Sequence, residues 1–488
     1  MRLFCLILLI GGLTGHACGP NSTGEVSGKN TDGIYAGVAR IDITPPVGGR
    51  LAGHFYQSLS TGIHDPLWAK AMVLQQGNRK VSLVFCDLIG ITSAISSKAR
   101  SQASTRTGIP AENILIAATH SHTGPLFYGF QYDYFHQKAL RLHGEDPHEK
   151  IDYGDFLVDK LVAVIVQASE ALGPVDVEVG VGTQEDISFN RRYHMKDGTV
   201  VFNPGPLNPD IVRPAGPIDP DVGILLLRHT GTRKYKGGLT VFAMHADGVG
   251  GTKISADYPY YLARALKRKF GRSFLSAFAV GPSGDINHVN VHRDDPIYSP
   301  SQPRRFGGLL GEAVINEVSN LKTVNRPALA MTSTQIALPL QVPRKSQVDS
   351  AKKMIHELYE VKESGEYMAR AGGESGDFLK RVEMSKYISL EGKGESLTAE
   401  VQVVRIDAET AIVGLPGEIF VDLGLNIKKR SPFKNTFIMS VCNEKMSYIP
   451  TKKAFAEGSY EVTNAIVKPG SGEMLVDTTV ELLKELKK

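Results

Sequence analysis

From Tyr35 to about Leu321 the chain repeats one alternation: a short apolar run, a polar turn, then an amphipathic stretch of helical length. Val81 to Cys86, Ile114 to Ala118, Leu239 to Met244 and Phe274 to Val280 are apolar runs. Phe156 to Leu172, Tyr258 to Phe270 and Gly307 to Leu321 are helical stretches. Runs this short, with little polar alternation, read as strands buried on both faces. The pattern predicts an α/β fold: a mixed sheet core with flanking helices and an active site at the strand carboxyl ends. Ala328 to Val342 reads as further strand. Ser346 to Gly365 reads as a charged helix broken by Gly372, Gly373 and Gly376, and Leu397 to Lys488 returns to strand, helix and loop. No internal repeat is apparent, so residues 35–488 are taken as one catalytic unit with a helical excursion near 346–395.

The first residues carry an address rather than a fold. Met1-Arg2 precedes the apolar run Leu3 to Leu13, then small residues and Cys18. A basic start and an apolar core of this length match a secretory signal and fall short of a bilayer span. Gly15 to Cys18 resembles a bacterial lipoprotein cleavage box. Residues 1–18 are therefore expected to be a lipoprotein-type signal peptide, and 19–34, rich in Gly, Ser, Asn and Thr, a flexible tether. The expected location is the bacterial cell envelope, or else the periplasm or the medium, with membrane contact only through a lipid anchor on Cys18. Beyond the signal, Cys86 and Cys442 are too few for a disulfide framework and read as buried thiols. The net charge of +4 is spread along the chain and gives no footprint for nucleic acid.

Four segments share one design, an apolar strand with ligand-type groups at its carboxyl end. Ile114 to Ala118 leads into Thr119-His120-Ser121-His122, and Leu239 to Met244 into His245-Ala246-Asp247. Phe274 to Val280 leads into Gly284-Asp285-Ile286-Asn287, and Ala411 to Val413 into Gly417-Glu418. Loops at the carboxyl ends of open α/β sheets face one crevice, where sites assemble. His120 and His122, two apart in extended chain, face the same way. Either both bind one metal, or one binds while the other serves as acid or base. His245 and Glu418 would complete a His, His, Glu set of the kind zinc takes, leaving a position for water. Asp87, Asp257 and Asp285 are candidates for orienting the imidazoles. Residue types and spacing alone support a metallohydrolase and no more.

Longer matches narrow this. Gly37 to Pro46 resembles the opening strand of the neutral/alkaline ceramidase family. Ala118 to Pro125 is similar to that family's Thr-His-Thr-His-Ser-Gly-Pro, Phe242 to His245 to its Phe-Ala-Val-His, and Leu415 to Glu418 to its Pro-Gly-Glu. Asn443 to Glu461 resembles its tyrosine-bearing segment. The motifs run in family order over nearly the whole mature chain. The resemblance implies one zinc ion held by His120, His245, Glu418 and Tyr448. It places His122 beside the water as proton carrier, and Arg191 and Tyr460 where they can stabilise an oxyanion. The implied reaction is hydrolysis of an amide (N-acyl) bond in a lipid-like acyl substrate, with zinc-activated water attacking the carbonyl.

The chain departs from the family in two ways. Asn287 stands where the family's Gly-Asp motif continues to a catalytic serine, leaving an amide to orient water or substrate. Family enzymes also carry a carboxyl-terminal β-sandwich, whereas this chain ends soon after the tyrosine segment, so a differently bounded pocket is expected. Two other readings compete. One is metal-dependent hydrolysis of another ester or a phosphoester, which for two metals needs bridging carboxylates that no motif here supplies. The other is a ligand-binding surface lipoprotein without turnover, against which the retained ligand set argues.

Overall fold

The computed structural model describes residues 33–360 and 376–488. The signal peptide and most of the tether expected in residues 1–34 lie outside the described residues, as does the Gly372-Gly373 break. The large sheet is built from β1 (Ile34–Asp42), β2 (Trp68–Gln76), β3 (Arg79–Cys86), β4 (Ile114–Ala118), β5 (Gly173–Thr183), β6 (Asp221–His229), β7 (Tyr235–Phe242) and β8 (Leu275–Val280). Their spatial order is β8-β7-β6-β5-β1-β2-β3-β4, and the two-residue strand Lys322–Thr323 also pairs with β5. Only the outer pairs, β7 with β8 and β3 with β4, are parallel. Parallel neighbours need a crossover, and helices supply it. α1 (Ser93–Thr107) links β3 to β4; α2 (Tyr153–Glu170) precedes β5; α3 (Tyr258–Phe270) links β7 to β8; α4 (Ser301–Glu317) follows.

A second sheet, β9 (Pro327–Pro339), β10 (Ser396–Asp407), β11 (Thr410–Gly414) and β12 (Asn435–Met439), lies against the first. Its last two strands are parallel and are joined by α5 (Val421–Arg430). The mixed α/β core read from the sequence is therefore present, with three strand–helix–strand units within it.

Side-chain direction explains why the strands read as unbroken apolar runs. Along β2, Met72 and Leu74 face Val404, Ile412 and Phe437 of the second sheet, while Ala69, Ala71 and Val73 face α1 and α2. The second sheet in turn covers its far side with α5 and α6 (Ser471–Lys487) through Val403, Val413, Ile427, Leu475 and Leu483. The layers run helix, sheet, sheet, helix. Each interior strand is buried twice, and period-two alternation is lost.

α4 begins at Ser301, earlier than Gly307 as expected from the sequence. Pro303 is tolerated in a first turn, and Gly307 lies inside the helix for contact rather than as a break. A Cβ there would come within 2.5 Å of Leu262 N and Tyr258 O of α3. Between β9 and β10 stand the helices Lys345–Glu360 and Gly376–Ser389. Cys86 and Cys442 are free and buried. Among the described residues no helix is long and apolar enough to cross a membrane.

Candidate active site

Each strand–helix–strand unit delivers ligand-type residues from its strand carboxyl ends. After β4 come Thr119 and His120; after β7 comes His245; after β8 comes Asp285; after β11 comes Glu418. The loops are stitched to one another directly. His122 N donates to Ala246 O at 3.2 Å, Gly284 N to Ile419 O at 2.8 Å, and Val421 N to Asp285 Oδ1 at 2.8 Å. The chain leaving β12 closes the remaining gap. Ser440 N donates to Val280 O, Ala118 N to Val441 O, and Asn443 N to Ile116 O, at 2.9, 3.2 and 2.7 Å. His120, Val441 and Asn443 hold φ of 65°, 56° and 57°. This left-handed backbone is costly for side-chain-bearing residues, most of all for β-branched valine, and such strain concentrates where geometry is over-determined.

The centre is a knot of lone pairs. His120 Nδ1 donates to Ile89 O at 2.8 Å and His245 Nδ1 to Ile286 O at 3.0 Å, which turns both Nε2 atoms inward. Glu418 Oε2 lies 3.3 Å from each Nε2 and has no hydrogen-bond partner, although it is buried. Burial, and then the Arg191 guanidinium, pushes His245 down to about 3, so its imidazole stays neutral at ordinary pH. A carboxylate oxygen and two imidazole lone pairs this close repel unless a cation lies among them. The donor set therefore fits a metal ion of the zinc type, with nitrogen and oxygen ligands and second-sphere carbonyls fixing the rings.

His122 joins the cluster through Nε2, 3.3 Å from His120 Nε2. Its Nδ1 is 3.7 Å from Asp247 Oδ1, and burial holds its pKa well below the usual value. Tyr448 stands beside Glu418 because the two pair in parallel register on adjoining short strands, and its phenol is pushed upward by burial and then by Glu418. Tyr460 packs edge-on against Tyr448 with centroids 5.5 Å apart.

Arg191 is clamped. Nε donates to Glu461 Oε1 at 2.8 Å and Nη2 to Gly284 O at 2.7 Å, which aims Nη1 at His245 Nε2, 3.3 Å away. Arg192 Nη1 takes the other oxygen of Glu461 at 3.0 Å, and Glu461 is fully buried.

Seven of the eight residues singled out by sequence thus meet: His120, His122, His245, Glu418, Tyr448, Arg191 and Tyr460. The eighth, Asn287, is one residue from the carbonyl that orients His245. Its amide is engaged within its own surroundings, donating to Asn203 Oδ1 at 3.2 Å and accepting from Val289 N at 3.0 Å. The aspartates do not orient the imidazoles as expected. Asp257 caps α3 and the Gly248-Val249 turn, Asp285 holds Asn190 and Val421, and Asp87 holds Trp68 N and Lys70. Main-chain carbonyls take their place: Ile89 O, from the loop after β3, lies under the His120 ring, and Ile286 O, from the loop after β8, under that of His245. Glu461 was missed, and Asp247, noted with the His245 segment, was given no role. The available signal for Glu461 was the tandem Arg191-Arg192, which needs a buried acid.

A cleft of about 640 Å³ opens over His120, His122, Glu418 and Tyr448. Phe55, Leu126, Phe130 and Tyr460 give it an apolar wall, and the helix Gly376–Ser389 borders it.

Comparison with known proteins gives one family and one fold. The profile of the family described as neutral/alkaline non-lysosomal ceramidase, N-terminal, matches residues 35–291. The neutral ceramidase of Pseudomonas aeruginosa is 27% identical over 265 residues, which cover 51% of this chain and 36% of that protein. The match thus spans about a third of the curated relative. The crystal structure of neutral ceramidase from Pseudomonas aeruginosa is similar with a TM-score of 0.68 and 18% identity, over 93% of this chain and 74% of that one. A solved structure of ceramidase complexed with C2 is similar with a TM-score of 0.65 and 18% identity, over 93% and 76%.

Proposed function

The chain belongs to the neutral/alkaline, non-lysosomal ceramidase family, and from that premise we propose that it is an exported, zinc-dependent hydrolase of the amide bond in ceramide-like N-acyl lipids. One observation carries the reading: Glu418 Oε2, buried and without a hydrogen-bond donor, faces the Nε2 atoms of His120 and His245 at 3.3 Å. These three, with Tyr448 beside them, would hold a single zinc ion. When bound, zinc supplies Lewis acidity that polarises a carbonyl and makes water a nucleophile near neutral pH.

The remaining work falls to the chain's own groups. Hydrolysis of an amide needs a base to take a proton from water and an acid to give one to the leaving amine. His122 is placed for both, neutral and at the cluster's edge with Asp247 behind its Nδ1. Arg191 keeps one N–H directed into the site, where negative charge gathers on the carbonyl oxygen. Tyr460 sits against Tyr448 on the cleft side and offers a hydroxyl to the same oxygen. Asn287 keeps the loop in shape so that Ile286 O can orient His245. The lipoprotein-type leader belongs to the same proposal, since an enzyme acting on lipids gains from being tethered near them.

The test is turnover of a fluorescent short-chain ceramide by the purified full chain, with zinc content measured in parallel. Wild type is expected to carry one zinc and release fatty acid, and His120→Ala to lose both. Wild type without zinc, or an undiminished His120→Ala, would overturn the reading.

A further inference from the structure

The segment ahead of His54 is bound to the chain that follows the His120 and His122 pair. Ala52 N donates to Gly124 O and Leu126 N to Arg50 O, both at 2.9 Å. Gly53 then turns with a φ of 90° and lies flat on His122. A Cβ there would come within 2.6 Å of His122 O and 2.8 Å of its Cβ, an approach that glycine permits. The next side chain, His54, is thereby set on the cleft lining, near enough to His122 to bear on its charge.

His54 is ordered but unengaged. Its ring stacks on Tyr56, with centroids 4.9 Å apart and planes 21° from parallel. Among the described residues neither ring nitrogen has a hydrogen-bond partner, and neither is sealed from solvent. Burial of the ring as a whole lowers its pKa to about 4, so the imidazole is neutral at ordinary pH. Other polar side chains of the lining are taken up by the protein itself. Gln131 donates to Tyr56 O at 3.1 Å, Ser389 to Ser385 O at 2.7 Å and Ser447 to Asn464 O at 2.7 Å. The Tyr128 hydroxyl also lacks a partner, but it is enclosed beside Gly90.

On the hydrolase reading His122 gives a proton to the leaving amine, so a group beside His122 meets the amine portion of the substrate. A substrate that covers the His54 ring strips its water, and a nitrogen left without a partner then costs free energy. Neutral imidazole carries one N–H and one lone pair. Whichever of them faces the substrate, a hydroxyl can pair with it, by accepting from the N–H or donating to the lone pair. A carboxylate or phosphate answers the N–H alone, and an ammonium the lone pair alone. Resting on that hydrolase reading, we propose that His54 is a specificity-determining residue, selecting N-acyl amphiphiles whose amine portion carries a hydroxyl close to the amide nitrogen.

The experiment compares N-dodecanoylethanolamine with N-dodecanoylpropylamine, in which a methyl replaces the hydroxyl, as substrates of the full chain. The ethanolamide is expected to exceed the propylamide in kcat/KM by about tenfold. His54→Phe keeps a ring to stack on Tyr56 but has no polar atom, and should erase that preference. His54→Gln offers both a donor and an acceptor and should restore part of it, which a loss of folding would not allow. Separately, calorimetry measures binding of ketone analogues, with methylene in place of the amide nitrogen, that end in a hydroxyl or a methyl. Tighter binding of the hydroxyl analogue with no amide cleaved would sustain the His54 subsite while removing the hydrolase reading. Equal cleavage and equal binding by wild type would overturn the proposal. So would an equal fall for both amides in His54→Phe, because a proton carrier or a merely structural ring serves both substrates alike.

Discussion

Glu461 shows how much of this site depends on one side chain. It is fully buried and divides its two oxygens between Arg191 and Arg192, at 2.8 and 3.0 Å. Glu461→Gln leaves Arg191 with no carboxylate and Arg192 with Glu457 alone at 3.3 Å, and removing one side of a buried pair costs about 3 kcal/mol. The expected result is a lower denaturation midpoint together with a fall in kcat larger than any change in KM, because Arg191 loses the anchor that aims Nη1. A variant with full stability and unchanged kcat would show that Arg191 is held by Gly284 O alone. At this scale the sequence was informative where chemistry is rare and silent where it is common. The histidines stand out because ligand-type groups recur at four strand ends together. An acid at the start of a short helix looks like any charge favoured by the helix dipole, so Glu461 passed unseen.

Among the elements, the segment leaving β12 ties the two sheets to each other by hydrogen bonds. Asn443 accepts from Ile116 N at 2.9 Å and donates to Gln402 Oε1 at 2.6 Å and Glu400 Oε2 at 3.0 Å, all from a left-handed backbone. Asn443→Ala should cost about 3 kcal/mol, combining an unsatisfied buried N–H with strain. Asn443→Gly should cost less by about 1 kcal/mol, since glycine removes only the strain. Chemical denaturation of both separates the two terms, and equal losses would refute the strain component. The strands themselves were readable as buried apolar runs, because burial on two faces leaves a plain compositional mark. The connection between β4 and β8 was not readable. It relies on main-chain hydrogen bonds of residues 440–443, and backbone pairing across such a distance leaves no pattern in side chains.

For the whole molecule, the crowded lone pairs at Glu418, His120 and His245 imply that the folded state gains from a cation. Zinc at a hundredfold its dissociation constant would add about 2.7 kcal/mol to stability. The melting midpoint is expected to rise with added zinc and fall on chelation, and His120→Ala should abolish the response. A midpoint indifferent to zinc would count against the ligand set. The convergence of three strand–helix–strand units also has a temporal side. His120 and His245 come from the two units of the large sheet, and Glu418 comes from the third, in the second sheet. A chain folded only through its large sheet offers His120, His122 and His245, with Asp247 beside them, but not Glu418. Contacts between segments so far apart in sequence form late in folding. Metal uptake then reports completion: the proposed grip of His120, His245, Glu418 and Tyr448 closes only when the second sheet has docked, so the full ligand set belongs to the finished fold alone.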